Sequence, residues 1–381
     1  MKAPDNVKRL VDRFADNIDA YKSGKYNETQ VRREFLDPFW KELGWDMDNS
    51  EGRPERTKDV IHEYSMKMDD STKAPDYCFR AAGRRKFFLE AKKPSVDIKG
   101  AIHPAYQLRR YAWSAKLPVS LLSDFEEFAL YDCRMAPKHT DNAAVARMKY
   151  LTYADYVERW EELHGLFSRE RVYDGVLEKF YADESQKKGT AGVDDSFLRE
   201  IEGWRDSLAR TIAVRNPALS NRELNFAVQR TIDRIIFLRI CEDRGIEPYG
   251  RLQTAAKSDN VYAALMDLFR GADNRYNSGI FHFSCEKGEC EPHDDLTPNL
   301  AIDDKPLKEI ITHLYYPLSP FEFSVLPADI LGQVYEQFLG KVIRLTPAHR
   351  AVVDEKPEVK KAGGVYYTPT YIVDYIAKHR S

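Results

Sequence analysis

Apolar positions in the first 45 residues recur at helical spacing. VKRLVDRFADNIDAY carries them along one face, and NETQVRREFLDPFWKELGW repeats the pattern, with Asn27 as N-cap and Pro38 as a kink or interruption. From about residue 57 the period changes. KDVIHEYS, APDYCFRA and RKFFLEAKK are short aromatic and β-branched runs, the last two separated by Ala82-Gly83, and they predict three strands in a meander. AIHPAYQLRRYAWSAK returns to helix, and LPVSLLS and FEEFALYDC predict two further strands. The order α-β-β-β-α-β-β describes a mixed sheet flanked by helices. Beyond residue 140 the strand signal fades. TYADYVERWEELHGLF, SFLREIEGWRDSLARTIAV, RELNFAVQRTIDRIIFLRICEDRG and ADILGQVYEQFLGKVIRL all read as helix, with a loop-like stretch from about 271 to 305. YADESQKKGTAGVDDS is polar and poor in aliphatics, and reads as a linker.

A chain of 381 residues makes two to three domains at roughly 100–200 residues each. Its 43% hydrophobic and 31% charged content excludes disordered, collagenous and coiled-coil classes. No apolar run approaches the ~18–20 residues of a membrane span. The N-terminus lacks the apolar stretch of a signal peptide, and five scattered cysteines do not make a disulfide framework. The expectation is a soluble, cytoplasmic protein with no membrane partner. Net charge is −3, but the first 150 residues carry +4 and the remainder −7. That balance argues against an indiscriminate nucleic-acid coat while leaving room for a local basic cleft.

The sharpest chemistry is Pro75-Asp76, thirteen intervening residues, then Glu90-Ala91-Lys92. On a strand, residues i and i+2 share a face, so Glu90 and Lys92 point one way and Ala91 the other. A hairpin would bring Asp76 beside them, at the edge of a sheet. Carboxylate oxygens are hard ligands suited to Mg²⁺, and an adjacent lysine can orient a hydrolytic water and stabilise charge on phosphorus. A bare pattern of this kind recurs by chance as surface charge. Here the apolar run FFLE makes Glu90 the end of a buried strand, where a charge must be paired or coordinated. Gln107 and Tyr111, four apart on the following helix, and Glu28, opening an N-terminal helix, fit the same site.

These residues resemble the PD-(D/E)XK nuclease domain, and more narrowly the version at the N-terminus of type IIG enzymes, which fuse endonuclease and adenine-specific DNA methyltransferase. With the Ala91 carbonyl expected as a further ligand, the resemblance implies that Asp76 and Glu90 bind Mg²⁺. It implies that Lys92 is the catalytic lysine, that Gln107 and Tyr111 match a QxxxY motif, and that Glu28 assists the metal site. AVQRTIDRIIFLRICEDRGI looks like the helical connector of these enzymes, and SPFEFSVLPADILGQVYEQFLG is similar to the segment before their methyltransferase core. GGVYYTPTYIVDYI matches their motif X, which implies that Tyr366, Tyr367, Thr368 and Pro369 form part of an S-adenosylmethionine site. Neither a Gly-rich adenosylmethionine loop, nor an Asn/Asp-Pro-Pro-Tyr motif, nor a GxxxxGK[ST] phosphate loop occurs. The expected organisation is a nuclease over 1–165, a linker over 166–195, a helical connector over 196–355, and the start of a truncated methyltransferase over 356–381. The expected partner is double-stranded DNA in phage defence, with transient self-association for double-strand cleavage.

Bland readings stand beside these. YYTP also reads as a turn before a helix, with Thr368 as N-cap and Pro369 at the first helical position. His282, Cys285, Cys290 and His293 could supply tetrahedral zinc, but Cys-x4-Cys is wide for such a site and a loop with free cysteines is preferred. Cys78, Cys133 and Cys241 read as buried fillers. Arg84, Arg85, Lys86, Lys93, Arg109 and Arg110 bracket the site in sequence and would hold the DNA backbone. CEDRG reads as packing and capping. Two rival functions are a non-catalytic DNA-binding scaffold that keeps the nuclease fold, and the N-terminal part of an ATP-dependent restriction subunit.

Overall fold

The computed structural model describes residues 1–62, 75–182, 192–276, 279–283, 293–327, 330, 332 and 340–355. The chain forms two compact units, Met1–Gly192 and Val193–Ser381.

The first unit opens with helices α1 (Asp5–Asp16), α2 (Ile18–Lys22), α3 (Glu28–Val31) and α4 (Asp37–Glu42). Asn27 caps α3 in a reciprocal box with Gln30. Between α3 and α4 the chain widens into a π-helical turn, Arg32–Leu36. Pro38 explains the widening. It has no N–H to give the Glu34 carbonyl four residues back, and the Arg13 guanidinium donates to that carbonyl instead.

A six-stranded sheet follows, with β1 (Val60–His62), β2 (Tyr77–Ala81), β3 (Arg84–Ala91), β4 (Val119–Ser123), β5 (Glu127–Asp132) and β6 (Arg147–Thr152) in sequence order across it. The first three strands make the expected antiparallel meander. Ala82 and Gly83 both have positive φ, as the tight β2–β3 turn requires. A Cβ at Gly83 would sit 2.8 Å from the Arg56 carbonyl oxygen. Helix α5 (Ile102–Ser114) then crosses over, which makes β3 and β4 parallel with Ala91 opposite Ser123. The remaining pairs are antiparallel. β3 is therefore central, and its C-terminal end lies inside the sheet. This corrects the expected position at a sheet edge, because the crossover returns the chain along the open flank of β3.

Alternation divides β3 between two layers. Phe87, Leu89 and Ala91 join a core with Phe14, Phe35, Phe39, Trp40 and Phe79. Within it Phe79 and Phe87, directly paired across β2 and β3, stack at 4.4 Å, and Trp40 lies 4.5 Å from Phe79. Phe88 and Glu90 point to the other face, over which α5 packs against β3 and β4. Strand β6 was not legible in the sequence: RMKYLT is half-buried at the sheet margin and shows no clean apolar alternation. Helices α6 (Trp160–Phe167), α7 (Arg169–Tyr173) and α8 (Val176–Ala182) complete the unit.

The second unit is mainly helical among the described residues. It contains α9 (Val193–Arg215), α10 (Asn221–Asp243), α11 (Arg251–Ala255), α12 (Val261–Tyr276) and α13 (Asp304–His313). α12 extends into the stretch expected to be loop. α10 buries residues on several faces, including Arg234 and Arg239. Arg234 pairs with Asp294 at 2.6 Å and with the Thr297 hydroxyl at 2.7 Å. The CEDRG segment packs and caps: Glu242 accepts the Gly250 and Leu252 amides, Asp243 pairs with Arg239 at 2.6 Å, and the Tyr315 hydroxyl donates to Glu242 at 2.5 Å. A hairpin of β7 (Lys341–Leu345) and β8 (Ala351–Glu355) packs beside α9 and α10. KVIRL was expected to end an amphipathic helix. Its β-branched residues pair with AVVDE instead, and the Asn225 side chain bonds both the N–H and the carbonyl of Ile343. No helix among the described residues is long and apolar enough to cross a membrane.

Candidate active site

The β2–β3 hairpin assembles the site. Its register pairs Tyr77 with Leu89, so Asp76 stands one step beyond, across from Glu90. The Ala91 amide donates to Asp76 Oδ2 at 2.7 Å, which fixes that carboxylate against the strand end. Lys92 Nζ donates to Glu90 Oε1 at 2.6 Å and to the Ala91 carbonyl at 2.8 Å. Its own amide donates to the Ser123 carbonyl at 3.0 Å, tying the site to the end of β4. Glu28 Oε2 approaches Lys92 Nζ at 3.7 Å.

The electrostatics are those of a partly buried charge cluster. Burial pushes the Glu90 carboxyl up to about 7. The Asp76 and Glu28 carboxylates add to that rise, and Lys92 opposes it. Burial pulls the Lys92 ammonium down, but Glu90 and Glu28 outweigh it and its pKa is raised. Lys92 therefore stays protonated across neutral pH and acts as a donor.

Asp76, Glu90, Lys92 and Glu28 thus come together. Gln107 and Tyr111 are buried on α5, the helix over the sheet face to which Glu90 points. Their relation to the cluster is the placement of that helix. The basic set is largely redistributed. Arg84, Arg85 and Lys86 begin β3 and Glu90 nearly ends it, a separation of about 13 Å for Lys86 to about 20 Å for Arg84 at ~3.3 Å per residue. Arg109 and Arg110 are 1% and 5% exposed, Arg109 facing Asp141 at 2.8 Å, so neither offers an open face to a backbone. Their polar identity hid the burial of nearly all of α5. Lys93 is exposed next to the site.

Two neighbours were missed. Arg32 donates to Asp76 Oδ1 at 3.2 Å, and its guanidinium lies 4.8 Å over the Tyr77 ring. It stands four residues after Glu28, and that helical spacing was the available signal. Glu127 accepts the Ile98 amide at 2.7 Å and the Lys99 amide at 3.2 Å, pinning the segment that follows Lys92. Nothing in FEEFALYDC marks it out.

Cys78, Cys133 and Cys241 are buried free thiols. Of the zinc tetrad, Cys285 and Cys290 lie outside the described residues, as do Tyr366, Tyr367, Thr368 and Pro369. Among the described residues, no group of three or more His, Cys, Asp or Glu side chains has the arrangement of a metal site. The pair Asp76 and Glu90 offers two such side chains and a backbone carbonyl.

The chain that carries this Asp-Glu-Lys cluster over a mixed sheet is similar to known proteins in part and along its whole length. Residues 57–139 match the family described as Type I restriction enzyme R protein N terminus. Over all 381 residues the chain is 39% identical to the Type II restriction enzyme and methyltransferase RM.Eco57I of Escherichia coli, and it covers 37% of that protein. The chain is thus related along its whole length to a restriction enzyme that also carries a methyltransferase, and it spans well under half of that relative. A solved structure, the type IIG restriction endonuclease BpuSI, is 10% identical over 81% of this chain and 30% of its own, with a TM-score of 0.24.

Proposed function

We propose that the chain is the endonuclease part of a restriction-modification enzyme and hydrolyses phosphodiester bonds of double-stranded DNA with Mg²⁺. The observation that carries the reading is the meeting of Asp76, Glu90 and Lys92 at one end of the β2–β3 hairpin. The donors suit the ion: two carboxylates and the Ala91 carbonyl are hard oxygens. Glu90, buried and raised toward neutrality, is stabilised as an anion by any cation set against it. Mg²⁺ held there supplies positive charge to the phosphate oxygens at the scissile bond. Lys92 Nζ orients the attacking water and stabilises charge developing on the phosphate. Gln107 helps to position that water, Tyr111 supports it from the same helix, and Glu28 adds a second carboxylate near Lys92.

In this reading residues 1–165 are the nuclease, 166–195 a linker and 196–355 a connector. Residues 356–381 begin a methyltransferase that uses S-adenosylmethionine, with Tyr366 to Pro369 in its cofactor site. One nuclease site cuts one strand, so double-strand cleavage needs transient self-association or a second event.

The test is Mn²⁺ calorimetry on the parent and an Asp76→Ala/Glu90→Ala variant, run beside a plasmid-nicking assay. The reading expects the variant to lose one binding event and the nicking. Identical binding isotherms would leave the carboxylates as ordinary charges and put the non-catalytic scaffold ahead.

A further inference from the structure

The N-terminal helix lays two charges across the site in complementary order. Glu28 faces Lys92 at 3.7 Å, and Arg32, one turn later, faces Asp76 Oδ1 at 3.2 Å. Arg32 also reaches the Asp76 backbone carbonyl at 3.5 Å and rests over the Tyr77 ring. It starts the π-helical turn enforced ahead of Pro38. Asp76 Oδ2 accepts the Ala91 amide and Oδ1 accepts the Arg32 guanidinium, so Arg32 holds an oxygen that a cation at this site would also use. Arg32 and Asp76 are each 13% exposed, so solvent screens the pair only partly.

We propose that Arg32 is a positioning residue that competes with the divalent ion for Asp76 and transfers to a DNA phosphate when substrate arrives. The inference rests on the reading of the site as a Mg²⁺-dependent nuclease. A guanidinium is suited to both partners, because its planar fork matches carboxylate and phosphate alike. With Arg32 on Asp76, metal binding in the absence of DNA is held below what the oxygen donors alone would give. A phosphate that draws Arg32 away frees the carboxylate, so DNA and metal bind with positive coupling. That coupling is reciprocal, since each ligand raises the affinity of the other by the same factor.

The experiment is Mn²⁺ calorimetry on the whole chain without DNA, for the parent and Arg32→Met. Methionine keeps an apolar stem over Tyr77 while removing the charge. Loss of one positive charge a few ångströms from a divalent ion is expected to tighten Mn²⁺ by about tenfold, with slower DNA nicking at saturating Mn²⁺. Arg32→Gln, which keeps an amide donor for Asp76, should tighten binding as well, and it serves if the methionine variant fails to fold. A merely structural arginine would do the reverse: its loss would loosen Asp76 and weaken Mn²⁺. Unchanged or weaker Mn²⁺ affinity in a folded variant would overturn the proposal. If the parent shows no event that Asp76→Ala/Glu90→Ala removes, the nuclease reading itself falls and this inference falls with it.

Discussion

Replacing Glu90 by glutamine should change how the stability of the first unit depends on pH. The Glu90 side chain is buried and its carboxyl is raised from the usual 4.5 to about 7, chiefly by burial. A raised carboxyl binds its proton more tightly in the folded chain than in the unfolded one. Its contribution is therefore fully present below pH 4.5 and is lost as pH rises through 7. A shift of this size corresponds to about 3 kcal/mol at ~1.4 kcal/mol per pH unit. Glutamine keeps an oxygen for Lys92 Nζ and does not titrate. The parent should thus lose about 3 kcal/mol relative to Glu90→Gln between pH 4.5 and 8, or roughly 10 °C in midpoint for a unit of this size. The assay is thermal unfolding in chelator, followed by tryptophan fluorescence. Trp40, Trp45, Trp113 and Trp160 lie in the first unit and Trp204 alone in the second. Midpoints of parent and variant that run parallel from pH 5 to pH 8 would refute the reasoning, since Glu90 would then have no linked proton.

Three further outcomes are expected. Lys92→Ala should keep the fold and the Mn²⁺ event but slow nicking by at least about a hundredfold, and nicking at the parental rate would remove Lys92 from the chemistry. Phe79→Ala should cost about 3–5 kcal/mol in chemical unfolding of the first unit, because Phe79 packs against both Trp40 and Phe87; a cost under 1 kcal/mol would deny it that central place. Asp294→Ala should cost the second unit about 3–5 kcal/mol by stranding a buried guanidinium, since Arg234 is 1% exposed, and unchanged unfolding of that unit would count against the pair.

The legible parts of the site are those that one hairpin brings together. Strand alternation put Glu90 and Lys92 on one face, the apolar run before Glu90 signalled a buried charge, and the turn at Ala82-Gly83 returned Asp76 to the same end. Arg32 was less accessible, because its partner lies 44 residues away. Burial of Arg109 and Arg110 could not be read either, since no local pattern says that a helix will be covered on nearly every side. Strand β6 and the β7–β8 hairpin failed for the opposite reason. Their residues are half-buried or follow a helical pattern without a break, and only the partner strand decides their form.

The parallel pairing of β3 with β4 has a consequence for the order in which the chain matures. Asp76, Glu90 and Lys92 belong to one hairpin, whose contacts are local and quick to form. The strand that flanks it on the other side begins only at Val119, after the whole crossover through α5. A nascent chain can therefore bring the three chemical groups near one another early, yet it leaves Glu90 wet and the Lys92 backbone amide without its β4 acceptor until Ser123 has emerged. Closing that long loop before any reward from pairing is the slow step for such a topology. The site is assembled by local geometry and switched to its buried, mutually perturbed electrostatics by a distant strand, so a chain interrupted between Lys92 and Val119 would hold the right residues in the wrong dielectric.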